Sequence, residues 1–298
     1  MAGLSILIPI FNRDVSELVH ALLAQLPDWP GPAEIRLLDD GSGEVYRAAN
    51  RLLAALPRVV YQELATNVGR AAVRNQLVAS AIHEWVLLLD NTSQVPASHY
   101  LARYAAASSQ APVVAGGVRY ADQVPTEPAL LLRWLYGQQR EARSLAQRQA
   151  AAYDQLLVNN LLIHKVLLQH FPLDERLRGY GHEDTKLGWQ LAAAGVPLCH
   201  LDNPIVHAGL ETAAAFLEKS EQAVRNLAQL LRENNLGATS RLVQMARRLQ
   251  RAQLAAGLQA VLALGEPLLR RNLLSTRPSL KVLDALKLLW FLREGAGR

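Results

Sequence analysis

The chain has 298 residues, half of them hydrophobic, enough to bury a sizeable core in one large domain with an appendage or in two small ones. Its single cysteine, Cys199, excludes an intrachain disulfide and a cysteine-type zinc cluster and fits a reducing cytoplasm. The formal charge of +5 is unevenly placed: from Glu211 onward 14 Lys/Arg stand against 7 Asp/Glu, while residues 1–210 carry 17 against 19.

In chain order, the Ile/Leu run at 4–10 predicts a buried strand, too short for a signal peptide and without a basic leader. Apolar residues at Val15, Leu18, Val19, Leu22, Leu23 and Leu26 predict an amphipathic helix over 14–26. Further strands are expected over 35–38, 59–64 and 85–89, with helices over 44–56 and 70–82. Alternation of this kind predicts an α/β fold with a mostly parallel sheet flanked by helices. No stretch reaches the length of a membrane span, so a soluble or peripheral protein is expected.

Ligands of such sheets bind beyond the carboxyl ends of the strands. Pro9-Ile10-Phe11-Asn12, Asp39-Asp40-Gly41-Ser42 and Asp90-Asn91-Thr92 are therefore expected to converge on one crevice. Asn67-Val68-Gly69-Arg70 opens the helix that also carries Arg74 and Asn75, and helix amides with two guanidiniums suit a nucleoside diphosphate. Each piece has an ordinary reading too: a common turn, a common loop, a solvated helix face. It is their combination and order that point to a site.

Residues 124–153 read as a helical insertion. Trp134-Leu135-Tyr136-Gly137 and Asn159-Asn160 offer aromatic faces and amides suited to sugars, although Trp134 with Leu130, Leu131 and Leu135 equally reads as core. Gly179-Tyr180-Gly181-His182-Glu183-Asp184 then precedes a helix over 185–194 stopped by Gly195. Adjacent carboxylates after two glycines at a helix start are either ordinary capping or an active site.

Taken together with Gly116-Gly117, these motifs resemble in order and spacing the family 2 glycosyltransferases of the GT-A (Rossmann-like) fold, over about residues 4–210. The resemblance implies inverting transfer of a hexosyl or N-acetylhexosaminyl group from a nucleotide-sugar, commonly a UDP-sugar, to the hydroxyl of a glycan or lipid-linked acceptor. A bacterial-type cytoplasmic enzyme of cell-surface polysaccharide or glycan synthesis is the implied setting. By that likeness Pro9, Phe11 and Asp40 hold the nucleobase, with Asn12, Gly41, Ser42, Asn67, Gly69 and Asn91 on the donor side. Arg70 or Arg74 stands near the diphosphate, and Asp90 is the first metal-site aspartate. Asp184 is the general base, and Glu183 holds an acceptor hydroxyl. An inverting displacement needs one such carboxylate on the face opposite the departing diphosphate.

The family's Asp-x-Asp reads Asp90-Asn91-Thr92 here, so a hydroxyl replaces the second carboxylate that Mn²⁺ or Mg²⁺ favours. Three outcomes stay open: a cation site completed by a further ligand, for which His207 is the candidate; metal-independent transfer assisted by Arg70 or Arg74; or nucleotide-sugar binding without turnover. His182 and His200 rank below His207 as ligands, and His182 alternatively shapes the acceptor site.

Residues 211–298 read as a helical extension of the 1–210 domain. Over 213–274, Leu242, Met245, Ala246 and Leu249 share one face, with Arg247, Arg248 and Arg251 elsewhere. The run 279–293 is strongly apolar, with Trp290 and Phe291 among Lys281, Lys287 and Arg293. Such a run has two readings: it lies peripherally on the anionic inner face of the cell membrane, or it packs on the body or on a partner in a homo-dimer. Nucleic acid is not expected, since no basic cluster is interleaved with stacking aromatics.

Overall fold

The computed structural model describes residues 2–96, 98–177 and 179–295. The chain folds as two compact units. One comprises Met1–Ala121, Glu141–Arg176 and Glu183–Gly209, and the other Asp122–Arg140, Leu177–His182 and Leu210–Arg298. A division after residue 210 therefore separates only the last segment, because two upstream excursions join the helical unit.

In the first unit β1 (Leu4–Ile10) is followed by α1 (Ser16–Leu23), β2 (Ala33–Asp39), α2 (Glu44–Arg51), β3 (Val59–Glu63), α3 (Arg70–Ser80) and β4 (Trp85–Leu89). The helices expected over 14–26 and 44–56 finish as 3₁₀ turns at Leu26–Asp28 and Leu52–Ala55. Pro27 and Pro57 account for this, since proline disfavours continued α-helix at and just before its position. After β4 come β5 (Ser93–Gln94), α4 (Tyr100–Ala107), β6 (Val113–Ala115) and β7 (Val118–Arg119). The helical unit then takes α5 (Leu131–Tyr136), and the first unit resumes with α6 (Leu145–Gln149), β8 (Asn160–His164), α7 (Lys165–His170), α8 (Glu183–Ala193), β9 (Leu198–His200) and β10 (Ile205–His207).

The seven-stranded sheet runs β3-β2-β1-β4-β8-β6-β9, and β5-β10-β7 form a small second sheet. All neighbours in the main sheet are parallel except β8, which opposes both β4 and β6. Strand β1 is central and buried on both faces, so its sequence lacks the polar alternation of a half-exposed strand. Each of its fully buried Leu and Ile side chains contributes about 2 kcal/mol. Its ladder with β4 covers only Leu4 to Leu7, whereas that with β2 continues to Ile10. The Ile10 carbonyl accepts from Asp40 N on the β2 side, so the Pro9 nitrogen faces the side where the β4 ladder has ended and loses no bond. The same parting of β1 from β4, where the strand order reverses, opens the crevice.

The helical unit adds α9 (Ala213–Asn234), α10 (Arg241–Arg251), α11 (Ala255–Leu273) and α12 (Leu280–Arg293). The Thr212 hydroxyl caps α9 by accepting from Ala215 N, and Ser240 caps α10 by accepting from Val243 N. Helix α12 decides between the two readings of 279–293. Leu283, Leu286, Leu289, Trp290 and Phe291 are all buried, and α12 packs on α9 and α11. The strongly apolar run at 279–293 is thus interior, as a helix apolar on most sides must be.

Candidate active site

The crevice is built from loop ends tied to one another. Asn12, in the left-handed region at φ 48°, donates its backbone N–H to the Ser42 hydroxyl, while its side-chain oxygen accepts from Gly43 N. Ser42 N donates in turn to Asp39. Gly41 has φ 76°, and a Cβ there would lie 2.6 Å from Asn67 N, so the turn needs glycine. Phe11 projects from this knot with 48% of its surface exposed, and its carbonyl accepts from the Asn91 side chain.

Asp40 is buried beneath the loop that opens α3. Its two carboxylate oxygens accept from Val68 N at 2.7 Å and Gly69 N at 3.2 Å, and its carbonyl accepts from the Asn67 side chain. Burial raises its pKa, and the two amides oppose the rise. Each oxygen retains a second lone pair, so a base N–H remains an admissible donor to this carboxylate. Asp39, placed in the crevice by its motif but given no role of its own, is also fully buried, and its Oδ2 has no hydrogen-bond partner. Its signal was the doubled aspartate itself.

At the end of β4 the charges form a chain. Arg74 is buried and donates to Asp90 Oδ1 and, at 3.0 Å, to the Arg70 carbonyl. Arg70 lies 3.7 Å from Asp90 Oδ2 and donates through Nε to Glu183 at 3.0 Å. Burial alone would push Asp90 up, but Arg74 and Arg70 outweigh it and hold the carboxyl at about 2. Glu183, buried at the first turn of α8, is lowered against the pull of burial by Arg70 and Arg74. Asp184 is raised, first by burial and then by the Glu183 charge; its Oδ1 accepts from the Thr185 amide and hydroxyl. Glu183, expected to hold an acceptor hydroxyl, is engaged by Arg70 through one carboxylate oxygen.

Of the expected cation pair, His207 is near enough to Asp90 for its charge to help lower that carboxyl's pKa. Asp90 faces two guanidiniums, and the Thr92 hydroxyl lies 3.1 Å from His207 Nδ1. His207 Nε2 is directed at the Gly209 carbonyl at 3.0 Å, and no three His, Cys, Asp or Glu groups converge among the described residues. To a divalent cation this donor set offers one carboxylate, paired with guanidiniums, and a hydroxyl and an imidazole that face each other. His200 is likewise structural, with Nδ1 2.9 Å from buried Arg148 and Nε2 directed at the Ala152 carbonyl.

Of the residues expected to suit sugars, Asn160 and Tyr136 are engaged in packing. Asn160 accepts from the Tyr100 and Tyr104 hydroxyls at 2.6 Å each, and donates to the Gly117 and Asn203 carbonyls. Both ends of its amide are thus spent in the core. In the helical unit Tyr136 packs against Phe216 and under Lys287.

An exposed aromatic, an amide-capped aspartate and a guanidinium-carboxylate chain thus line the crevice at the strand ends, where doubly wound α/β sheets bind ligands. The Glycosyl transferase family 2 pattern matches residues 5–158, more than half of the chain. The chain belongs to glycosyl transferase family 2. Among solved structures it is similar to the mannosyltransferase PcManGT from Pyrobaculum calidifontis in complex with GDP-Man and Mn²⁺. The identity is 16%, covering 78% of this chain and 64% of that one, with a TM-score of 0.56. This likeness establishes the GT-A fold, and the chain spans less than two thirds of that protein's length. TarS 1-349 from S. aureus is also similar, at 15% identity over 99% of this chain and 90% of that one, with a TM-score of 0.48. No curated protein matches the chain in sequence.

Proposed function

We propose that this protein transfers a sugar with inversion from a UDP-sugar to an acceptor hydroxyl. The observation that supports the reading is the charge chain from Asp90 through Arg74 and Arg70 to Glu183, with a proton-accepting Asp184 beside it. In this reading the base stacks on Phe11 and its N–H donates to Asp40, while the amides at the start of α3 face the diphosphate. Arg70, paired with Glu183 and more than a third exposed, is the guanidinium of the chain that faces the leaving group. The acceptor oxygen attacks the anomeric carbon, its proton passes to Asp184, and the bond to the diphosphate breaks with its electron pair leaving on the diphosphate oxygen. A neighbour of the same fold is described with GDP-Man and Mn²⁺, so guanine and a cation are the alternatives to exclude.

The test is a calorimetric titration of the full chain with UDP and with GDP, each in Mn²⁺ and in EDTA. UDP is expected to bind more tightly than GDP, with an affinity unchanged by the cation. Failure to bind either nucleotide would overturn the donor assignment. Tenfold tightening by Mn²⁺ would instead restore a cation site at Asp90 and remove Arg70 from the leaving-group role.

A further inference from the structure

We infer that the elbow of α10 and α11 is a docking surface for an anionic lipid membrane. Helix α11 is the least covered helix of its unit, with Leu273 its only buried residue. Gly257, Ala260, Val261, Leu264 and Leu268 recur at three- and four-residue spacing and are all exposed, which places them on one stripe. Val261, Leu264 and Leu268 are 65%, 85% and 71% exposed, so the stripe is continuous and open rather than the edge of a groove. A Cβ added at Gly257 or Gly265 would meet nothing within 4 Å. An apolar stripe of this kind is a contact surface awaiting a partner.

The charge around the stripe selects the partner. Helix α10 meets α11 at 119° and exposes Arg241, Arg248 and Arg251. From Arg241 to Leu283 the chain has eight basic residues and one acidic residue, Glu266, which is paired with Arg270 and Arg293. A second copy of this chain would bring the same positive charge to the face, whereas anionic phospholipid complements it. No single helix among the described residues is long and apolar enough to cross a membrane, and the two arms that reach that length together are sharply bent. An apolar stripe beside exposed arginines suits a helix lying in the headgroup plane.

The test is co-sedimentation of the full chain with vesicles of phosphatidylcholine alone or mixed with phosphatidylglycerol, with circular dichroism melts to confirm that variants fold. The wild type is expected to pellet with the mixed vesicles only, and less so at high salt. The double variant Leu264→Ser/Leu268→Ser should lower the partition coefficient about tenfold or more, since two leucine side chains leave the apolar layer. Arg248→Gln/Arg251→Gln should lower it to a similar degree, at about fivefold per charge. The proposal is overturned if the wild type stays in the supernatant with both vesicle types, or if both variants bind as it does. It is overturned equally if sedimentation equilibrium finds a dimer that Leu264→Ser/Leu268→Ser dissociates, because a second copy then covers the stripe.

Discussion

The end of β4 and the start of α8 bring Asp90 and Glu183 to the same pair of arginines and both are lowered, yet Asp184, next to Glu183, is driven in the opposite direction. Asp90 receives Arg74 directly and Arg70 at 3.7 Å, and is held at about 2. Asp184 stands beside Glu183, which has taken the Nε of Arg70, so Asp184 feels burial and a neighbouring negative charge and is raised. The contrast teaches that the role of a carboxylate here is decided by which neighbour holds the cation. The neutralised one organises the site, and the one left without a cation of its own is suited to accept a proton.

The largest effect that would break this comparison is at Asp184. Asp184→Asn keeps the shape and removes the acceptor for the proton, so donor turnover should fall about 100- to 10,000-fold while UDP affinity stays within about twofold of wild type. Equal losses in turnover and affinity would make Asp184 a binding residue instead. Arg74→Ala should act on stability, because it leaves the largely enclosed Asp90 with only the more distant Arg70. Chemical denaturation should report about 3 kcal/mol of destabilisation, and a loss below about 1 kcal/mol would mean that Arg74 is not what neutralises Asp90. Phe11→Ala touches neither carboxylate and sharpens the contrast by its specificity. UDP affinity should weaken about tenfold with the melting temperature unchanged, since stacking on an exposed ring is lost.

The strand-and-helix alternation and the convergence of the strand ends were legible in the sequence because period and punctuation are local properties. Strand β4 matches its apolar run residue for residue, and β1 does so despite Pro9. The Arg74–Asp90 pairing was not legible, because a salt bridge between a helix turn and a strand end depends on the packing of α3 on the sheet. Asp90 therefore read as a metal ligand by position alone. Asn160 was equally opaque: its amide looked suited to sugar hydroxyls, but its four partners come from α4, the β6–β7 turn and the segment before β10. In the tail, hydropathy left 279–293 open between a membrane surface and packing, and it packs. The exposed stripe lies instead on α11, whose alanines and glycines dilute the signal that its leucines carry.

The shared-arginine account is tested most directly by the pH dependence of nucleoside diphosphate release from UDP-sugar in the wild type and in Glu183→Gln. A base with a raised pKa works above that value and fails as pH falls through it, so the acid limb of the wild type should lie above the ordinary carboxylate range. Glu183→Gln removes the adjacent negative charge and releases Arg70 toward Asp184. The limb should then move to lower pH by about one unit. A limb that stays in place would contradict the account, and a limb already in the ordinary carboxylate range in the wild type would remove its premise.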